Sequence, residues 1–384
     1  MKTIKLGKFN FDIHSFKKFF NKAFLKEKAT SAVFFLRNFN KDFNKKYGNT
    51  FSAVSSKMKR NKLISIAVAF ILFVLLLAIL PAVKASGTQY STILEDEAGN
   101  LLAAYIAPDG QWRFAPGGEI DEKYFEALIA FEDRRFNFHA GIDPLAVGRA
   151  IIANIKSGSI KSGASTITMQ AVRMLRLGKS RTFKEKLIES VLAFQLELKY
   201  SKQEILELYA ANAPYGGNVV GIEAASWRWF GRSAKELSVA EAALLAVLPN
   251  SPALIHPGKN REKLLKKRNR LLAKMFELKL ITESEFELAT DENLPEKPKK
   301  FPQLASHLLD EFIIKKENLH KRIVTTLNLN YQKLANETIS RNSKMLAENG
   351  IFNAAVLIAE VNSGNILAYV GNTPSEQNLN NNKV

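Results

Sequence analysis

The spacing of apolar positions changes several times along the chain, and each change marks a different element. Phenylalanines from Phe9 to Phe43 are interleaved with lysines through the first 62 residues. The run LISIAVAFILFVLLLAILPAV, Leu63 to Val83, then carries no charge and matches the roughly 20 residues a helix needs to cross a hydrocarbon core, so it predicts one membrane span. A cleaved signal peptide fits poorly, because its apolar core is about 7 to 15 residues and its basic region is short. Beyond the span, YSTILEDEAGNLLAAYIAPDGQWRF alternates apolar and polar positions around AGN and PDG, which predicts a short hairpin. From Asp121 to about Leu288 apolar residues recur at three and four spacing, the mark of helices.

LPEKPKKFP, residues 294 to 302, is a proline- and lysine-rich break. After it, RIVTTLNLNYQ and AAVLIAEVNSGNILAYVGN are two β-rich runs, the second folded about an Asn-Ser-Gly-Asn turn. These boundaries divide the chain into a leader (1–62), a span (63–83), a mainly α domain (84–293), a linker (294–321) and a β-containing segment (322–384) too short to complete a further domain. No internal repeat is present.

Charge sharpens this picture. The leader holds 14 Lys and 2 Arg against 2 Asp and 1 Glu, so +13 of the net +18 lies there. Lys57, Lys59, Arg60 and Lys62 flank one end of the span and Lys84 stands alone at the other, which places the leader in the cytoplasm and the rest outside. The leader reads as a basic aromatic segment on the anionic inner leaflet, as a nucleic-acid patch, or as a solvated disordered leader; beside a span, the leaflet is favoured over nucleic acid. The absence of cysteine decides nothing about compartment.

Two stretches carry candidate chemistry. In DEKYFEALIAFEDRRF, Phe125, Leu128 and Glu132 fall at i, i+3 and i+7, so Glu132 lies on the core-facing stripe and Asp133 turns away from it. A carboxyl held against apolar side chains has its charged form disfavoured, which suits a general base. A structural Glu paired with Arg134 or Arg135 is the competing reading. His139 and Gly141 read as shaping the following turn.

In the second stretch a Gly/Ser loop, Ser157 to Ser165, leads to Thr166, Thr168 and Gln170 and then to Arg173, Arg176, Lys179 and Arg181. Thr182 and Glu185 form a capping-box pattern, so a helix begins there with Arg181 at its N-terminus, where an anion is favoured. Arginines 173 and 181 suit a diphosphate; a solvated basic face is the competing reading. Glu189, with Leu192, Ala193 and Leu196 at i+3, i+4 and i+7, is a second partly buried acid on a helix apolar nearly all round from Leu187 to Leu198. Two such acids beside a cationic site suggest transfer at a phosphorylated or glycosidic centre. Gly178-Lys179-Ser180 lacks the upstream glycine of a phosphate-binding loop, and no spacing suggests a zinc site.

In order, EDRRFNFHAGID, GASTITMQAVRM, RTFKEKLIE, KQEILELYAANAPYGGNVVGIEAAS and EAALLAVLPNSP resemble the five signature blocks of the peptidoglycan glycosyltransferase domain of class A penicillin-binding proteins. The Thr-Met-Gln variant of the second block looks most like the 1C branch. The resemblance covers roughly residues 90 to 290, and residues 322 to 372 are similar to the start of that family's transpeptidase domain, without its S-x-x-K, S-x-N or K-T-G motifs. It implies a mainly α, lysozyme-like domain behind a single N-terminal transmembrane helix, in the bacterial cytoplasmic (inner) membrane. The catalytic domain would face the periplasm.

The implied activity joins lipid II to a lipid-linked glycan with inversion, forming a β-1,4 link and releasing polyprenyl diphosphate. Glu132 matches the base acting on the acceptor hydroxyl and Glu189 the second essential acid. Arg173, Arg181 and Lys186 match the cations at the diphosphate, and Ser165, Thr166 and Gln170 the donor-side block. Asp133, Phe136, His139, Gly141, Gly163, Asn212 and Gly216 match supporting positions. No tightly bound cofactor is implied; Glu189 would act at the diphosphate either directly or through a divalent cation (Mg or Mn). Expected partners are lipid II, lipid-linked glycan, the membrane and other cell-wall synthesis proteins, with no nucleic acid.

Four positions depart from the pattern: Ala164 replaces a Gly, Met169 a Gln, Arg173 a common Lys, and Glu185 a position often basic. The last removes a cation from the diphosphate side. Two other readings stay open, a catalytically impaired membrane scaffold of the cell-wall machinery and a lysozyme-like lytic glycosidase. The second has no need of two arginines poised for a diphosphate.

Overall fold

The computed structural model describes residues 4–6, 9–11, 62–80, 89–158, 163–176, 182–250, 256–316 and 319–372. The chain divides into two units, Met1–Ile79 and Leu80–Val384. In the first, strands β1 (Ile4–Leu6) and β2 (Phe9–Phe11) pair antiparallel, and helix α1 runs Lys62–Ile79. At 18 residues α1 is about 27 Å long, against about 30 Å of hydrocarbon. No helix among the described residues is long and apolar enough to cross a membrane. The last residues of the expected span, 81–83, lie outside the described residues, as does most of the leader.

In the second unit the expected hairpin forms as β3 (Thr92–Glu95) and β4 (Leu101–Tyr105), antiparallel with a bulge at Leu94/Glu95. A third strand, β7 (Arg322–Val324), joins β3 in parallel, giving the order β4-β3-β7. All four residues of β3 are buried because both faces are covered. Ile93, Leu101 and Ala104 face the main core, while Leu94, Leu102 and Ala103 face helix α11 (Ser306–Ile314). Strand β5 (Trp112–Arg113) pairs with β6 (Val219–Val220).

The body is helical, as the three-and-four spacing predicts. Helix α2 (Glu122–Glu132), capped by Asp121, buries Tyr124, Phe125, Ala127, Leu128 and Ala130. It is followed by α3 (Pro144–Ser157), α4 (Ile167–Leu175), α5 (Phe183–Glu197), α6 (Lys202–Asn212) and α7 (Ile222–Trp229). Helix α8 (Val239–Val247) is started by a Ser238/Glu241 capping box, and its alanines at 240, 242, 243 and 246 let α2 approach closely. Helices α9 (Arg261–Glu277) and α10 (Glu283–Asp291) complete the body. Helix α5 is less enclosed than its sequence suggests. Ala193 and Leu196 are buried, but Leu187, Val191 and Leu198 on its other side are exposed.

Residues 294–321, expected as linker, carry α11 and lie against the body. Arg268, 1 % exposed, donates to the carbonyls of Thr290 and Glu292, and Arg261 to those of Leu294 and Pro295. Beyond β7, helix α12 (Leu329–Glu348) packs on the antiparallel pair β8 (Val356–Ala359) and β9 (Ile366–Val370). That 20-residue helix separates the two β-rich runs seen in the sequence.

Candidate active site

Glu132 is the last residue of α2, where the apolar stripe of Phe125 and Leu128 delivers it half-buried to the floor of a cleft of about 470 Å³. Its Oε2 accepts a 2.7 Å hydrogen bond from Gln170 Nε2 on α4, so the pairing with Arg134 or Arg135 considered from the sequence does not occur. Burial pushes the Glu132 carboxyl above the usual carboxylate range; the Gln170 hydrogen bond, the Lys267 charge and the Asn250 amide oppose that rise, and the Asp133 charge adds to it.

The turn after α2 is held from several sides. Asp133 does turn from the Glu132 face, yet it is buried, because its Oδ2 accepts from Ile167 N at 3.2 Å and His139 Nε2 lies 3.1 and 3.0 Å from its two oxygens. Thr166 caps α4 by accepting from Met169 N at 3.1 Å and donates to the Gly141 carbonyl at 2.6 Å. Gly141 has φ +82°, and a Cβ there would lie 2.8 Å from the Ala193 carbonyl carbon, so only glycine lets the turn meet the backbone of α5. Phe136 is fully buried beneath the Lys202 ammonium, 4.3 Å from its ring centre, and that ammonium donates to the His139 carbonyl at 2.6 Å.

At the mouth of the cleft, Arg135 forks onto Asp143, its Nε donating at 3.0 Å, and holds that carboxyl down to about 2. Asp143 also caps α3 by accepting from Leu145 N and Ala146 N. Arg134, exposed, lines the cleft with Gly163, Ser165, Thr166 and Lys274.

Helices α4 and α5 are joined by two ion pairs. Arg173 makes a bidentate pair with Glu189, Nε to Oε1 and Nη2 to Oε2, both at 2.9 Å, and Glu189 is 7 % exposed. Arg176, at the end of α4, donates to Glu185 Oε2 at 2.7 Å. The capping box read from Thr182 and Glu185 is therefore half formed. Thr182 Oγ1 accepts from Glu185 N at 3.1 Å, but the Glu185 carboxylate turns to Arg176. Lys186 is exposed one residue on, and Arg181 lies outside the described residues. Asn212 closes α6, its side-chain amide donating to the Leu208 carbonyl, and Gly216 is buried at φ +98°.

Of the two carboxylates beside these arginines, Glu189 is engaged at both oxygens and Glu185 at one. Among the described residues no group of three or more His, Cys, Asp or Glu could hold a metal.

The family model described as Transglycosylase matches residues 99–276, an interval holding Glu132, Gln170, both ion pairs and the turn that supports them. Residues 99–276 are a transglycosylase domain. Penicillin-binding protein 1C of Escherichia coli (strain K12) is 38 % identical over 240 residues, 62 % of this chain and 31 % of its own length. Penicillin-binding protein 1A of Aquifex aeolicus (strain VF5) is 37 % identical over 238 residues, 60 % of this chain and 33 % of its own. The chain thus spans about a third of the curated relatives it matches. A crystal structure of penicillin-binding protein 1A from Haemophilus influenzae aligns with a TM-score of 0.31 at 19 % identity, over 67 % of this chain and 30 % of that one. The transglycosylase domain is of the class A penicillin-binding protein type, and a 1C-like character is consistent with these relatives.

Sequence reasoning missed the two lysines of α9 whose charges act on Glu132, of which Lys274 lines the cleft. Lys267 Nζ donates to Asn250 Oδ1 at 3.0 Å and sits 5.1 Å from the centre of the Phe131 ring, while Lys274 donates to the Ala130 carbonyl. Burial lowers the proton affinity of both, and the Glu132 charge restores part of it. Their signal is a spacing of seven, two helical turns, yet Lys263, Lys266, Arg268 and Arg270 crowd the same helix and hide it.

Proposed function

We propose that this chain is a peptidoglycan glycosyltransferase that polymerises lipid II into β-1,4 glycan with inversion. The arrangement on α4 carries this reading. Gln170 and Arg173 are one turn apart, so a single helix face holds the base Glu132 at one position and the guanidinium with its acid Glu189 at the next. Glu132 takes the proton from the acceptor sugar hydroxyl as that oxygen attacks the anomeric carbon of the donor. The bond to the diphosphate breaks on the opposite face, and Arg173 receives the charge that develops on the leaving group.

The lipid tails of both substrates call for a membrane, and two features support an anchored domain. The sequence is free of charge from Leu63 to Val83, and in the second unit Phe138, Leu145, Ile151, Ile152 and Ile155 are each more than half exposed. We place the catalytic unit on the outer face of the bacterial inner membrane, with the basic leader in the cytoplasm and other cell-wall synthesis proteins as partners.

The test is polymerisation of labelled lipid II by the detergent-purified chain, with products resolved on a gel. Wild type should make long glycan and Glu132→Gln none. Glycan from Glu132→Gln at the wild-type rate would remove Glu132 as the base, and release of sugar from preformed glycan in place of synthesis would favour the lytic reading.

A further inference from the structure

The two ion pairs between α4 and α5 form a ladder with an inner and an outer rung. The inner acid, Glu189, has a side chain 9 % exposed and is gripped at both oxygens; the outer pair, Arg176 and Glu185, is 19 % and 20 % exposed and joined through one oxygen. Two arginines face two glutamates, so the ladder is neutral where a departing diphosphate needs net positive charge. Glu185 produces that neutrality. As the third residue of α5 it lies in the helix's first turn, where an anion is already favoured, yet its carboxylate spends itself on Arg176 and not on the capping residue. It thus occupies both attractions that a diphosphate would use.

We propose that Glu185 is a competitor built into the donor site: it holds Arg176 when no donor is bound and yields it when a diphosphate arrives. Arg176 then stands beside Arg173 as a second cation for the leaving group. The inference rests on the glycosyltransferase reading above and adds to it a residue that sets donor affinity. Held through a single oxygen, the outer rung is the more easily exchanged of the two, whereas a diphosphate offers paired anionic oxygens that the guanidinium fork binds at two points. The inner rung is not exchanged in the same way, since taking Arg173 from Glu189 strands a buried carboxylate.

The experiment is titration of the detergent-purified full chain with inorganic pyrophosphate, followed by phosphorus NMR, which needs no turnover and so can fail independently of the polymerisation assay. Glu185→Gln should bind pyrophosphate about two- to fivefold more tightly than wild type, the strength of a partly exposed pair. Arg176→Gln should bind it about tenfold more weakly, as for loss of a charge-assisted hydrogen bond. Glu185→Ala and Arg176→Lys serve where either variant fails a thermal-unfolding check, the first expected to match Glu185→Gln and the second, a point charge in place of the fork, to bind about two- to fivefold more weakly than wild type. Equal or weaker binding by Glu185→Gln, unchanged binding by Arg176→Gln, or no binding by wild type and variants alike would each overturn the proposal.

Discussion

Replacing Gln170 by leucine keeps the side-chain volume and strips Glu132 of the hydrogen bond donated at 2.7 Å. A hydrogen bond to a charged group is worth about 1.5–3 kcal/mol. Glu132 is half-buried at an open cleft, so water recovers part of this, and a net loss of about 1.4 kcal/mol is a fair expectation. At about 1.36 kcal/mol per unit, that raises its pKa by roughly one unit above a value that burial has already raised. A base must be deprotonated to work, so activity is lost as pH falls through its pKa. The acid limb of the pH profile for lipid II polymerisation, followed between about pH 5 and 9, should therefore move up by about one unit in Gln170→Leu. Lys267 and Asn250 remain in place and limit the shift. Gln170→Glu should move the limb further, because two carboxyls sharing one hydrogen bond titrate as a pair. The midpoint carries the test, since a lower plateau alone would follow from any damage to donor binding. A limb that stays put or moves down would show that Gln170 does not hold the Glu132 carboxylate.

Gly141→Ala should destabilise the second unit by about 3 kcal/mol, combining the left-handed backbone with a Cβ 2.8 Å from the α5 backbone. Thermal unfolding should fall by about 6–12 °C, against about 2–6 °C for Gly217→Ala, which shares the positive φ and its strain but faces open space. Equal shifts would remove the contact with Ala193 from the account. Glu95 gives a pH prediction: burial beside Arg322 pushes its carboxyl up to about 7. The folded state binds that proton more tightly than the unfolded chain, so this group's contribution is full below about 4.5 and fades as pH rises through 7. Denaturant midpoints at pH 5.5 and 7.5 should show wild type losing more stability on that rise than Glu95→Gln does. The opposite order would mean that the pair with Arg322 outweighs burial.

The helical body was legible because its apolar residues recur at three and four spacing, as Phe125 and Leu128 do in α2. The parallel pairing of β7 with β3 was not, since nothing local in RIV states which strand it meets more than 200 residues upstream. The same limit governs the site. The periodicity of α2 and α5 placed Glu132 and Glu189 on inward stripes, but partners such as Gln170, Lys267 and Lys274 come from other helices. Local grammar also misled at Glu185, where a capping-box pattern predicts a side chain turned to its own helix and a guanidinium nine residues back wins it. A charged partner at 2.7 Å outbids a neutral backbone N–H, and no single-helix rule contains that comparison.

The sequence presents two glutamates of equal standing, and the difference between them is made by what each one faces. Glu189 has both oxygens committed to the Arg173 fork, so its lone pairs in that plane are spent and its charge is balanced by a fixed cation. Such a group steadies a guanidinium and holds it at a set position. Glu132 meets an amide, which orients one of its oxygens without neutralising it, at the edge of a cleft where an acceptor hydroxyl can reach it. Burial then makes proton uptake less costly for Glu132 than for an exposed carboxylate. In the proposed reaction, the division of labour between base and charge-balancing acid follows from the neighbours that α4 supplies one turn apart, an amide at 170 and a guanidinium at 173. Exchanging those two side chains should cost the domain its base before it costs the domain its fold.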